Sequence, residues 1–217
     1  MSYAPTKESH KLDVAAFRTF LFQGKALFTM QNVDTGNYIT FNVKSPKKKR
    51  DAPEDFRFFD VYVKALGDRY SGSRYIGRID RKLKSLKPYG FLENDHPGVN
   101  TTNWLIKNWS NLEKYEQADK LHIFHLGQCC KCGLPLTVPE SIKNGIGPKC
   151  KEYREGNSIK ILKELNLWYP GAKYEDVVPK AIEEHPMLIE KIFIPDSVRR
   201  SDLWVGQMSD LSEMGLF

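Results

Sequence analysis

No stretch of this chain is apolar for long enough to span a bilayer, so a membrane-spanning helix is not expected. The opening residues, from Met1 to Glu8, lack the apolar core of a signal peptide. Cysteine is sparse, with four in 217 residues. Without an export signal they fit a reducing cytoplasm, the expected location, better than a disulfide framework. Catalytic signatures are missing too. There is no G-x-S-x-G elbow, Walker loop, H-E-x-x-H pair or dinucleotide fingerprint. His96 beside Asp95 is a lone acid–base pairing next to a proline. The expectation is a protein that is not an enzyme. No internal repeat occurs, and the only biased tract is a lysine run.

What the chain does carry is charge of uneven placement. Basic residues number 33 against 27 acidic, for a net charge of +6. Residues 25–90 hold 15 Lys and Arg against 7 Asp and Glu, whereas residues 171–217 hold 5 against 9. A basic, aromatic-rich region followed by an acidic one points to nucleic acid, single-stranded or duplex, as a partner. Two clusters are candidates for phosphate contact. The first is the loop Lys47-Lys48-Lys49-Arg50 between prolines. The second is the stretch with Arg69, Arg74, Arg78, Arg81, Lys82, Lys84 and Lys87, interleaved with Tyr70, Tyr75 and Tyr89, of which Arg74, Arg78, Arg81 and Lys82 are the leading candidates. Strand alternation puts Arg74 and Arg78 on one face, where arginines and tyrosines can hold a single strand by charge and stacking. The acidic end mixes Trp204, Leu211, Met214 and Phe217 with its carboxylates, a composition suited to a protein partner such as a host complex.

Periodicity predicts an α+β fold. Residues 26–32 and 38–44 read as a hairpin about an Asp34-Thr35-Gly36-Asn37 turn. Residues 57–65, 74–79 and 82–86 read as further strands, giving an antiparallel sheet of four or five. Residues 11–22 read as a short helix or a lead-in to a strand. Residues 101–113 form an amphipathic covering helix, capped from 100–102, with Trp104 and Trp109 assigned to packing. Residues 121–126 return as a strand. Helices are expected over 158–165 and 174–184, the latter broken at Pro179. The expected domains are a basic sheet domain over 1–120, a small metal module over 121–155 and an acidic, mainly helical region over 156–217.

The metal module rests on spacing. His125, Cys129, Cys132 and Cys150 follow H-x3-C-x2-C-x17-C. A C-x2-C followed by glycine is a knuckle that aims two thiolates at one ion, and a third thiolate with an imidazole completes a tetrahedral Cys3His shell for Zn2+. Cys-x-x-Cys also serves thioredoxin-like redox sites, but no βαβ pattern surrounds this one. Cys129 is preferred to Cys130, which sits too close to Cys132. His122 competes with His125 for the fourth place. Thr137-x-x-Glu140 reads as a capping box, and Gly145 suits a left-handed helix end.

The run Cys129-Cys130-Lys131-Cys132-Gly133-Leu134-Pro135-Leu136-Thr137-Val138-Pro139-Glu140-Ser141-Ile142-Lys143-Asn144-Gly145-Ile146-Gly147-Pro148-Lys149-Cys150 resembles a small uncharacterised family, domain of unknown function 6011. Its pattern is C-x-x-C-G-x-x-L-T-x-P-x-S-I-x-x-G-I-G-P-x-C, and a histidine often stands at the place of His125. The family is widespread in bacteriophage and actinobacterial proteins. The resemblance implies a zinc-ribbon-like module and a phage or phage-related origin, and it carries no established activity. Cys130 departs from the pattern and is an alternative ligand.

Overall fold

The computed structural model describes residues 7–46, 58–64, 73–80, 85–90 and 96–185, together with Leu188 and Ile192. The chain divides into two compact units, Met1–Ile146 and Gly147–Phe217.

The first unit is built on an antiparallel sheet. Its strands are β1 (Lys11–Leu12), β2 (Lys25–Asn32), β3 (Tyr38–Lys44), β4 (Phe58–Lys64), β5 (Arg74–Asp80), β6 (Ser85–Pro88) and β7 (Leu121–His125). They lie in the order β1-β7-β2-β3-β4-β5-β6. From β2 to β6 each strand pairs antiparallel with the next in sequence, the order of a meander. The structure therefore has the expected α+β architecture, with more strands than the four or five anticipated. The two residues of β1 are too few to show any alternation.

β7 lies between β1 and β2. Residues 121–125 are thus an inner strand of the sheet rather than the start of a separate module. Pairing explains the position. Phe28 lies opposite His125, Met30 opposite Ile123 and Asn32 opposite Leu121, so the alternate residues of β7 extend one apolar face.

That face also holds Ala26, Phe41, Val43, Phe59 and Val61, all buried. It is covered by helices. α1 (Val14–Leu21) starts where Asp13 accepts the Ala16 amide hydrogen at 2.6 Å, an N-cap that selects helix over a continued strand. Its Phe17 and Phe20 rings meet Phe28 at 4.9 and 6.3 Å. α2 (Pro97–Lys107) begins earlier than the Asn100–Thr102 cap would have it. His96 is the cap, its Nδ1 accepting the Gly98 amide hydrogen at 3.1 Å, and Pro97 supplies a preformed first turn. Thr102 is instead buried and donates to the Gly98 carbonyl. A 3-10 turn, Trp109–Asn111, separates α2 from α3 (Leu112–Gln117). Arg18 ties α1 to this region, donating to Glu113 at 2.8 Å and to the Trp109 carbonyl at 2.6 Å. α4 (Pro139–Asn144) closes the unit, with Gly145 left-handed at φ 66°. A Cβ there would lie 2.6 Å from the Phe20 ring, so glycine is required twice over.

The second unit contains α5 (Pro148–Glu164) and α6 (Tyr174–Glu184). α5 starts ten residues before the helix read at 158, because Pro148 is its first residue and the segment 148–157 is too polar to show an apolar stripe. α6 runs through Pro179 unbroken. Burial of Val177, Val178, Ala181 and Ile182 against Leu162, Leu188 and Ile192 outweighs the one backbone hydrogen bond that proline forgoes. Glu175, Asp176, Glu183 and Glu184 are exposed on the other side of α6.

Candidate functional site

The metal knuckle is a tight hairpin. Gln128 and Pro135 bridge antiparallel, the Cys129 amide donates to the Leu134 carbonyl at 2.8 Å, and the Gly133 amide donates back to the Cys129 carbonyl at 2.8 Å. Gly133 has φ 81°, the left-handed geometry that the turn needs. Lys25, at the start of β2, fastens the knuckle. Its amide donates to the Cys130 carbonyl and its ammonium to the Cys132 carbonyl, both at 2.8 Å. Cys150 stands in the first turn of α5, where the positive end of the helix dipole favours an anionic sulfur.

The Sγ atoms of Cys129, Cys132 and Cys150 lie within 4.8 Å of one another. Zinc–sulfur bonds of about 2.3 Å in a tetrahedron separate ligand sulfurs by about 3.8 Å, so three thiolates this close can hold one metal ion with small adjustments. Among the described residues no fourth His, Cys, Asp or Glu atom joins the group.

His125 is held otherwise. It is 0% exposed, on the apolar face of the sheet. Its Nδ1 accepts the Gly127 amide hydrogen at 3.0 Å, which leaves Nε2 protonated, and Nε2 donates to the Ile142 carbonyl at 2.6 Å. Both ring nitrogens are thus engaged by the backbone. The imidazole also stacks on His10, with centroids 4.6 Å apart. Burial, and then the neighbouring His10 charge, push its pKa down to about 4 against the opposing Ile142 bond. The geometry is that of a neutral structural histidine which ties β7 to α4. The competing His122 is also bound elsewhere, at 2.6 Å from Asp119. Cys130 is buried in the knuckle, its amide donating to the Gly145 carbonyl at 3.0 Å. The capping box does not form at the start of α4. Val138, not Thr137, is the N-cap residue.

The second candidate is the other face of the sheet. Register brings Asn42 opposite Tyr62, Asp60 opposite Arg78, Tyr62 opposite Tyr75, and Arg78 opposite Lys87. A bulge inserts Ile76 between Tyr75 and Gly77, so Arg74 pairs with Val63 while Tyr75 pairs with Tyr62. Arg74 and Arg78 therefore stand on opposite faces, not on one as simple alternation has it. The bulge replaces Arg74 with Tyr75 on the solvent side. A row of rings results. Tyr62 and Tyr75 have centroids 5.2 Å apart, and Tyr75 and Tyr89 5.1 Å. Lys44 lies over Tyr62 at 5.1 Å, and Tyr89 is 63% exposed. Arg78 and Lys87 are exposed beside the row, and Arg78 is fixed by Asp60 at 2.7 Å. That bond raises the Arg78 pKa, while burial and Asp60 raise the Tyr75 phenol. Lys87 belongs to the basic and aromatic stretch read from the sequence, whereas Lys44 was not among the sequence candidates for phosphate contact. The signal for Lys44 lay in strand register, which single-strand alternation could not give. Lys47, Lys48, Lys49, Arg50, Arg69, Arg81, Lys82 and Lys84 lie outside the described residues, as does Asp95.

Among the described residues no helix is long and apolar enough to cross a membrane. Residues 119–154 match the model of a family of unknown function, DUF6011. Comparison with curated proteins and with solved structures finds no match. The matched segment begins two residues before β7 and ends in the first turns of α5, so it encloses all three clustered cysteines.

Proposed function

We propose that this chain is a zinc-containing, nucleic-acid-binding accessory protein without catalysis of its own, and that its exposed sheet face holds a single strand. The observation that carries this reading is the Tyr62–Tyr75–Tyr89 row flanked by Lys44, Arg78 and Lys87. Bases stack on aromatic side chains with little regard to sequence, and neighbouring cations follow the phosphates. The Tyr62 and Tyr75 rings tilt against each other, whereas Tyr89 at the open end is the ring most available to a base. A duplex hides its base faces within its own stack, so a row of rings favours a single strand. In this reading the ion shapes the knuckle and leaves the binding to the sheet. The phage setting suggested by the cysteine motif suits an accessory role of this kind.

The test is fluorescence anisotropy of metal-replete, full-length protein with labelled single-stranded and duplex oligonucleotides over a salt series. Single-strand binding should weaken with salt. The Y75A and Y89A substitutions should each cost about 5- to 150-fold in affinity, matching about 1–3 kcal/mol per stacked base. Equal affinity of the wild type and the double variant would sink the sheet-face reading. Absence of binding at low salt would sink nucleic-acid binding altogether.

A further inference from the structure

On the helical side of the sheet, at the β2–β3 hairpin end, lies a cavity of about 530 Å³. This volume falls within the range of about 300–1,000 Å³ typical of small-molecule sites. Met30, Ile39 and Leu121 give it apolar lining from the sheet. Trp104 of α2 and Tyr115 of α3 give it an aromatic wall, with rings edge-to-face at 5.0 Å. That wall is built without a ligand. The Tyr115 hydroxyl donates to Asn108 Oδ1 at 3.1 Å, and Asn108 Nδ2 donates to the Trp104 carbonyl at 2.9 Å. Trp104, assigned to packing on its helical spacing, therefore lines a cavity.

The polar lining is unusual in kind. Asn37, Asn100 and Thr101 border the cavity, and among the described residues their side chains make no hydrogen bond. Carboxamides offer a donor and an acceptor side by side, which matches the edge of a nucleobase. An indole beside them offers a face for a planar ring. Asp34 and Lys120 add one carboxylate and one ammonium, both exposed and neither in an ion pair among the described residues. A carboxylate can accept from ribose hydroxyls, and an ammonium can hold a phosphate. Fatty or purely sugar ligands would use only half of this lining.

We infer that this cavity is a site for a single unstacked nucleotide, with the base against Trp104, its edge on Asn37 and Asn100, and its phosphate toward Lys120. The inference does not depend on the tyrosine row, which occupies the other face of the sheet. The nucleotide comes either free, as a nucleoside monophosphate, or as one base turned out of a strand.

Isothermal titration of the full-length, metal-replete protein with each of the four nucleoside 5′-monophosphates tests it, with ribose 5-phosphate as control. At least one nucleotide should bind at least 10-fold more tightly than ribose 5-phosphate. The N37A/N100A variant, changed only at exposed polar groups, should lose at least 10-fold of that affinity with an unchanged melting temperature. W104F should retain binding and W104A should lose it. For the strand source, a short single-stranded oligonucleotide should lose affinity on N37A/N100A substitution. If the monophosphates alone respond to that variant, the free nucleotide is the ligand. Equal affinity for ribose 5-phosphate, no heat for any monophosphate or oligonucleotide at millimolar concentration, or indifference of both to N37A/N100A would overturn the inference. The tyrosine variants separate the two readings. Y75A and Y89A should leave monophosphate binding unchanged, whichever way the sheet-face test falls.

Discussion

The Nε2 of His125 donates to the carbonyl of Ile142 at 2.6 Å, across the sequence span that contains two of the three clustered cysteines. The bond joins β7 to the last turn of α4 and carries a structural consequence for the site. Replacing His125 by alanine leaves a void and an unpaired carbonyl, at a cost of about 2–4 kcal/mol. The metal content of the folded protein should not change. Elemental analysis and a thermal melt on H125A and H125Q check this. Loss of metal from a variant that still melts cooperatively would make His125 a ligand after all.

Serine in place of Cys129, Cys132 or Cys150 should abolish metal binding, whereas serine at Cys130 should not. Each of the three ligand variants should melt where the chelator-treated wild type melts, because binding energy at such a site is folding energy. Retained metal in any one of the three would remove that cysteine from the site.

Stability should depend on pH through His125. In the folded chain its pKa is about 4, below the ordinary value of 6.5. The unfolded chain therefore binds the proton more tightly, and protonation favours unfolding. The contribution is whole above about pH 6.5 and is lost progressively as pH falls toward 4, to a total of about 3 kcal/mol. His10, stacked on it and also lowered by burial, adds in the same direction. Proton-detected titration of the imidazole resonances measures the value directly. A His125 midpoint near 6.5 would contradict the buried, neutral ring.

Gly77 sits in the β5 bulge with φ +153°, and a Cβ there would lie 2.9 Å from Pro88 Cα and collide with the Lys87 carbonyl. G77A should therefore push β6 away and cost about 3 kcal/mol. Because Tyr89 follows β6 and its amide donates to the Ile76 carbonyl at 3.0 Å, the variant should also weaken oligonucleotide binding. Thermal melts and anisotropy on the same sample would check both. An unchanged melting temperature would show that β6 can yield without loss.

Much of this molecule was legible from local pattern. The β2–β3 hairpin follows from its turn residues and alternation, and the left-handed end of α4 from Gly145, because both are decided within a few residues of backbone. The knuckle cysteines announced themselves by spacing for the same reason. The start of α5 was hidden because its early residues bury little, and the continuity of α6 was hidden because a proline's local cost is offset by a distant core.

The sequence by itself determined which cysteines can share an ion, which segments pair as hairpins and where the charge is concentrated. Each depends on spacing or composition along the chain. The tertiary structure decided the partner of His125, the insertion of β7 between β1 and β2, and which face of β5 carries Tyr75 rather than Arg74. Those are long-range choices. A strand's neighbours are set by which apolar faces complete one core, and a one-residue bulge reverses every side chain beyond it, with no mark in local periodicity.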